Sequence, residues 1–307
     1  MNKKNKKNTS PFITILVIIG LFIYTIYETE INETLAKLDI DLKDFKTTTN
    51  EITEDIKVTF LDVGQADCTL IEVNGENMLI DAGNNEDGKL IVNYLQQNNI
   101  ENFKYVVATH PHEDHIGGID DIIRNFKISK FYMPDVYTTT KTFETVLEEL
   151  DKKNMTFTIP KIDETLSLGG SKIKILYLNN NKEDFNLDSI VLKLTYKNIS
   201  FLFMADAPKE VEKQIQNKDI QADILKVGHH GSNLASSKEF LEKVNPVYGV
   251  ISVAKTNDYN HPGQYTLARL KKQKINILRT DKKGTIVVTS DGYKIRVYNT
   301  KTNTNGG

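Results

Sequence analysis

The sequence predicts an α/β domain in which two mixed β-sheets lie face to face with helices outside them, an αββα sandwich, behind a single N-terminal transmembrane helix. Three observations carry this. Short β-rich runs alternate with helical stretches from Ile56 to Tyr298, with a hairpin pattern on either side of the strand–helix units. An uncharged run, Pro11 to Tyr27, stands ahead of them. The six histidines, at 110, 112, 115, 229, 230 and 261, gather behind strand-like runs, where α/β proteins build their sites.

The N-terminal region divides into three parts. Residues 1–10 form a basic cytoplasmic tail with Lys3, Lys4, Lys6 and Lys7. Residues 11–27 (PFITILVIIGLFIYTIY) lack charge over 17 positions. As a helix they would span roughly 26 Å, just short of a ~30 Å hydrocarbon core. A cleaved signal peptide is the rival reading, but the apolar run is long for one and no small-x-small site follows. Lysines before it, with Glu28, Glu30 and Glu33 after it, put the N-terminus in the cytoplasm and the body outside. Residues 28–55 read as a stalk in which Ile31, Leu35, Leu38 and Leu42 fall at helical spacing.

The body is expected over 56–298, with a disordered tail at 299–307. IKVTFLDV, CTLIEV and NMLIDAG read as strands, followed by a helix near 88–98 and the strand KYVVAT. Helices near 118–126 and 139–153 come next, then a hairpin of IVLKLTY and ISFLFMAD about Lys197-Asn198. ADILKV, a helix near 236–244, VYGVISV, a helix near 264–272 and INIL repeat the alternation. GTIVVTS and YKIRVY close the body as a hairpin about Asp291-Gly292.

Composition narrows the function classes. Hydrophobic residues at 39% and charged residues at 26% suit a globular body. The single cysteine, Cys68, excludes an internal disulfide framework and a cysteine-based zinc ribbon. Without the four N-terminal lysines the chain carries 35 basic against 41 acidic residues, which argues against non-specific nucleic-acid binding by bulk charge.

The chemistry is concentrated in Thr109-His110-Pro111-His112-Glu113-Asp114-His115. A loop leaving a strand can aim alternate side chains at two neighbouring points. Imidazole and carboxylate together suit divalent ions such as Zn²⁺ or Mn²⁺. Two such ions ~3.5–4 Å apart can clamp the attacking and leaving oxygens of a displacement. Asp206 in LFMADAP follows a strand in the same manner, as do His229-His230 in GHHGS and His261 in NHPG.

THPHEDH resembles the signature of the metallo-β-lactamase superfamily, LIDAG its first aspartate motif, and Asp206 its bridging aspartate. More narrowly, FLDVGQADC, THPHEDHIGG, LKVGHHGS and NDYNHP resemble the extracellular C-terminal domain of ComEC-type DNA-uptake proteins, from about Ile56 to Tyr298. The resemblance implies that His110 and His112 hold a first metal, that Asp114 and His115 hold a second, and that Asp206 bridges them. One histidine of the 229–230 pair completes the second site. Because adjacent strand residues point oppositely, only one is expected to do so. His229 is favoured, with His230 and Asp188 as additional candidates. Asp81 would orient a ligand or the bridging water. His261 would sit at the mouth, binding a phosphate or protonating a leaving oxygen.

No histidine occurs between 116 and 228, so the first metal lacks the third histidine many superfamily members have; only Asp188 or Ser189 is available there. Ala66 and Cys68 stand where relatives usually have glycine and serine. The resemblance implies a metal-dependent phosphodiesterase, a stand-alone relative without the ComEC channel, acting on external DNA. Two other readings stay open: a phosphorylcholine-esterase-like enzyme acting on wall or lipid-linked substrates, and a non-catalytic metal-containing binding module.

Overall fold

The computed structural model describes residues 54–179 and 184–301. The expected tail, anchor and most of the stalk lie outside the described residues, and so does the end of the chain from 302. Among the described residues no helix is long and apolar enough to cross a membrane.

The body is a four-layer sandwich. The first sheet begins with β1 (Ile56–Phe60), β2 (Thr69–Val73) and β3 (Glu76–Ile80), which pair antiparallel. Then β4 (Asn102–Val107), β5 (Lys127–Tyr132) and β6 (Phe157–Thr158) add in parallel. Between these strands lie α1 (Gly88–Gln97), the single-turn α2 (Glu113–Ile116), α3 (Ile119–Asn125) and α4 (Lys141–Lys152).

The second sheet repeats that plan. An antiparallel run comprises β7 (Thr165–Leu168), β8 (Ser171–Tyr177), β9 (Val191–Tyr196) and β10 (Ile199–Phe203). It continues in parallel through β11 (Ile224–Lys226), β12 (Tyr248–Ile251) and β13 (Asn276–Arg279). Its helices are α5 (Lys209–Ile215), α6 (Lys238–Val244) and α7 (Gln264–Lys272), with a last turn α8 (Thr280–Lys283). The chain then returns to the first sheet, where β14 (Ile286–Ser290) pairs with β1 and β15 (Ile295–Asn299) forms the edge.

Strand periodicity builds the layers. Met78 and Ile80 of β3 face the space between the sheets, with Val58, Phe60, Leu192, Leu194, Phe201 and Phe203. Leu79, one residue out of step, packs outward with Ile91 and Leu95 of α1, Ile122 of α3 and Phe143 of α4. In the second sheet Leu202 and Leu225 face Val211, Phe240 and Leu270 of the outer helices. A period of two makes one strand serve two cores.

The body's limits differ slightly from those expected. Glu54 accepts a hydrogen bond from Thr289 Oγ1 (2.7 Å) and the Asp55 carbonyl accepts one from the Asn74 amide, so the fold begins inside the predicted stalk. At the other end Asn299 closes β15, and the Thr300 and Lys301 amides donate to the carbonyls of Thr285 and Lys283. The expected disordered tail therefore does not start at 299. Strands β5 to β8 and helix α5 were also not anticipated from the sequence.

Candidate metal centre

The site lies where strands of both sheets end. Asp81 follows β3, the histidine loop follows β4, Asp206 follows β10, and His229 and His230 follow β11. Loop 81–84 and the histidine loop are zipped together: the Ala82 amide donates to the His115 carbonyl, Gly117 N to Gly83 O, and Gly118 N to Ala82 O. A Cβ at Gly117 would collide with the Asn84 backbone, and one at Gly118 with the Ala82 carbonyl. The Gly-Gly pair behind the motif thus permits this close approach.

Asp81 is buried and reads as a positioning group. Its Oδ1 accepts from the Thr109 amide and its Oδ2 from Thr109 Oγ1, each at 2.8 Å, and Oδ2 lies 2.8 Å from His115 Nδ1. That fixes His115 with Nε2 inward, 3.3 Å from Asp206 Oδ1 and 3.8 Å from Asp114 Oδ2. His230 is oriented in the same way. Its Nδ1 meets the Ser252 carbonyl at 3.0 Å, leaving Nε2 3.1 Å from Asp114 Oδ2 and 3.6 Å from Asp206 Oδ1.

Ligand atoms of Asp114, His115, Asp206 and His230 all lie within 4.8 Å of one another. It is therefore His230, and not the favoured His229, that the fold brings into this group. The strand-alternation argument fails because neither residue is extended: φ is 53° at His229 and 49° at His230, within a single 3-10 turn. His229 is partly exposed, with Nε2 3.6 Å from Asp206 Oδ2. Its amide donates to the carbonyl of Ala205, itself left-handed at φ 46°, which ties the ends of β10 and β11. Left-handed non-glycine residues cost on the order of 1–3 kcal/mol each, and Asp81 makes a fourth in these loops, at φ 58°.

His110 and His112 form a neighbouring pair, His110 Nε2 lying 3.1 Å from His112 Nδ1, and the His110 and His115 rings are 4.1 Å apart. Among the described residues neither histidine joins a group of three such ligand atoms. Asp188 and Ser189 are both fully buried, and the Ile190 amide donates to the Thr109 carbonyl, so this stretch runs beside the histidine loop. Asp188 belongs to no such group either. Asn186 lines the cleft above the site, and the Phe185 ring lies 5.8 Å from that of His112.

A second trio, Asp67, Asp81 and His115, is also close enough to hold an ion. Its carboxylates are already engaged, however. Asp67 meets the buried Lys226 ammonium at 2.7 Å, and Asp81 holds Thr109 and His115. This Lys226–Asp67 pair was missed in the sequence. The available signal was a lysine within the apolar run ADILKV.

The electrostatics match a cation site. Burial opposes charge on His115 and on His230, yet Asp206 and the other facing carboxylates outweigh it and hold both above the ordinary histidine range. Asp206 is buried and Asp114 partly so, but His230 and His115 pull both carboxyls down. His110 is held well below the usual range by burial and by His115, so it stays neutral, as a ligand must. His115 Nε2 and Asp206 Oδ1 are buried without a hydrogen-bond partner. Inward-facing, unpaired donor atoms of imidazole and carboxylate fit a divalent ion. The separation of the His110 and His112 nitrogens also suits two imidazoles on one ion with bonds of about 2.0–2.1 Å.

The cleft above holds about 360 Å³ and is lined by Gln65, Glu113, Asn186, Tyr259 and His261 as well as the centre itself. His261 is thus part of the cleft wall. Burial, with His229 and His230, lowers its pKa to about 4.

Residues 61–255 match the metallo-beta-lactamase superfamily, and the chain belongs to it. Members are usually metal-dependent hydrolases, and the fold binds divalent metals, often two. Among curated relatives, ComE operon protein 3 of Bacillus subtilis is 29% identical over 201 residues, covering 64% of this chain and 26% of that protein. Competence protein ComA of Neisseria gonorrhoeae is 26% identical over 235 residues, 75% of this chain and 31% of that protein. The chain therefore spans between about a quarter and a third of the length of these relatives. Among solved structures, the metallo-beta-lactamase fold protein YhfI of Bacillus subtilis superposes with a TM-score of 0.54 at 13% identity, over 77% of this chain and all of that one. The diiron beta-hydroxylase CmlA of Streptomyces venezuelae gives 0.52 at 15% identity, over 89% of this chain and 60% of that one. At these identities the likeness shows the fold.

Proposed function

We propose that the chain is a metal-dependent phosphodiesterase acting on external DNA, its body held outside the membrane by residues 11–27. The observation that carries this reading is the convergence of Asp114, His115, Asp206 and His230 at the floor of an open cleft, in a chain related to competence proteins. His110 and His112 would hold one ion, and Asp114, His115, His230 and Asp206 the other. Zn²⁺ and Mn²⁺ both suit this nitrogen and oxygen set. When bound, such ions supply positive charge at the phosphoryl oxygens and activate water.

The chain's own residues do the rest. Asp81 and the Ser252 carbonyl hold His115 and His230 by Nδ1, so that their Nε2 atoms are presented inward without reorganisation. His261, neutral near pH 7, is suited to donating an N–H to a phosphate oxygen rather than to protonating a leaving group. The buried walls exclude bulk water behind the centre.

Purified protein, stripped by chelator, is expected to leave single-stranded DNA intact and to cleave it when Mn²⁺ or Zn²⁺ is restored. Cleavage of a choline phosphodiester but not of DNA would redirect the proposal to wall or lipid-linked substrates, and no hydrolysis of either would favour a binding module. For topology, protease added to intact cells is expected to digest the body; protection until lysis would overturn that placement.

A further inference from the structure

We propose that the exposed ring of Tyr259 is a nucleobase platform that makes the site selective for single-stranded nucleic acid. The inference rests on the phosphodiesterase reading above. Tyr259 is 69% exposed, yet it lines the cleft, its ring stacked on that of His261 with centroids 5.7 Å apart and planes at 25°. The ring is therefore backed by one aromatic partner while much of it stays open to solvent.

The loop that carries it is braced. Asn257 Oδ1 accepts from the His261 amide at 2.9 Å, and its Nδ2 donates to the carbonyls of His261 (2.8 Å) and Ala254 (3.3 Å). The Ala254 amide donates to Gln65 Oε1, which also lines the cleft (3.3 Å). A loop held in this way, with His261 behind the ring, leaves less ordering to be done on binding.

Size and charge then define the ligand. At about 360 Å³ the cleft is near the lower end for small-molecule sites, so it takes a phosphodiester and its immediate sugars, and the attached bases must lie on the rim. No lysine or arginine lines it among the described residues, so neutralisation of phosphates by protein cations contributes little affinity here. Beyond the metal ions and the His261 N–H, which act on the phosphate, stacking is the source that engages the bases, and it is tolerant of sequence because every base has a π-face. A base inside a duplex has both faces covered by its neighbours. Only an unstacked base can settle on Tyr259.

The test uses the full-length protein with Mn²⁺ and two labelled single strands of equal length, oligothymidine and its abasic counterpart. Wild type is expected to show a lower KM and tighter binding, by fluorescence anisotropy, for the base-bearing strand. In Tyr259→Ala the ratio of the two KM values should fall toward one, through a rise of about tenfold or more on oligothymidine. Tyr259→Phe and Tyr259→Trp should keep the ratio. An unchanged ratio in Tyr259→Ala, or a loss equal on both strands, would overturn the platform. If wild type cut neither strand, the phosphodiesterase reading would fail. The anisotropy arm would still decide, since a Tyr259-dependent preference for the base-bearing strand supports the platform and its absence refutes it.

Discussion

His229 and His230 are adjacent in sequence and differ in every local respect that matters to a metal. His230 is buried, is fixed through Nδ1 by the Ser252 carbonyl, and aims Nε2 at Asp114 and Asp206; His229 is partly exposed, with Nε2 3.6 Å from Asp206 Oδ2. His230→Ala is expected to remove most of the Mn²⁺-induced rise in Tm, and His229→Ala much less of it. Equal losses in a thermal-shift titration would contradict the assignment. pH should act through the same groups. Facing carboxylates raise His115 and His230, so their stabilisation of the metal-free fold is complete below the unfolded value of about 6.5 and is lost as pH rises through the folded values. The ions compete with those protons. Above about pH 6.5 the metal-free Tm should fall with rising pH while Mn²⁺ affinity rises; affinity that is flat above that pH would count against His115 and His230 as ligands. The sequence showed which residue types meet but not which histidine of the pair turns inward. That depends on two left-handed backbone positions with no glycine to mark them.

At the scale of elements, the Lys226–Asp67 pair ties the loop after β1 in the first sheet to β11 in the second. Its side chains are 2% and 5% exposed, and Asp67 also accepts from the Gly83 amide through its carbonyl and donates its own amide to the Asp114 carbonyl. Lys226→Met would leave a buried carboxylate without its counter-charge, a loss of about 3–5 kcal/mol. Removing both charges with Lys226→Met and Asp67→Asn should recover part of that loss in denaturant unfolding; a single variant as stable as wild type would show the pair to be idle. Much of this architecture was readable from periodicity, since the strands before and after the site and both terminal hairpins are strongly β-patterned. The misses were of a different kind. β5 interleaves Lys127 and Lys130 with its apolar residues, and in the β7–β8 hairpin the Gly169-Gly170 pair is the local signal for the turn. The return of β14 to β1 and the contact between β11 and the first loop are long-range pairings, and no local window contains them.

For the molecule as a whole, two similar half-sandwiches place their strand ends against one cleft, and the two metal positions proposed there are unequal. Asp114, His115, His230 and Asp206 converge on one of them, while among the described residues His110 and His112 join no group of three such ligand atoms. Fewer ligands mean weaker binding, so the position at His110 and His112 should exchange its ion more readily. A displacement that stabilises both attacking and leaving oxygens requires both positions. The direct measurement is a Mn²⁺ titration of chelated protein, following bound metal and hydrolysis of single-stranded DNA together. Activity is predicted to rise chiefly after the first equivalent has bound and to be lost in Asp206→Ala, which removes the buried carboxylate facing His115, His229 and His230. Full activity at one equivalent, or in Asp206→Ala, would contradict the account.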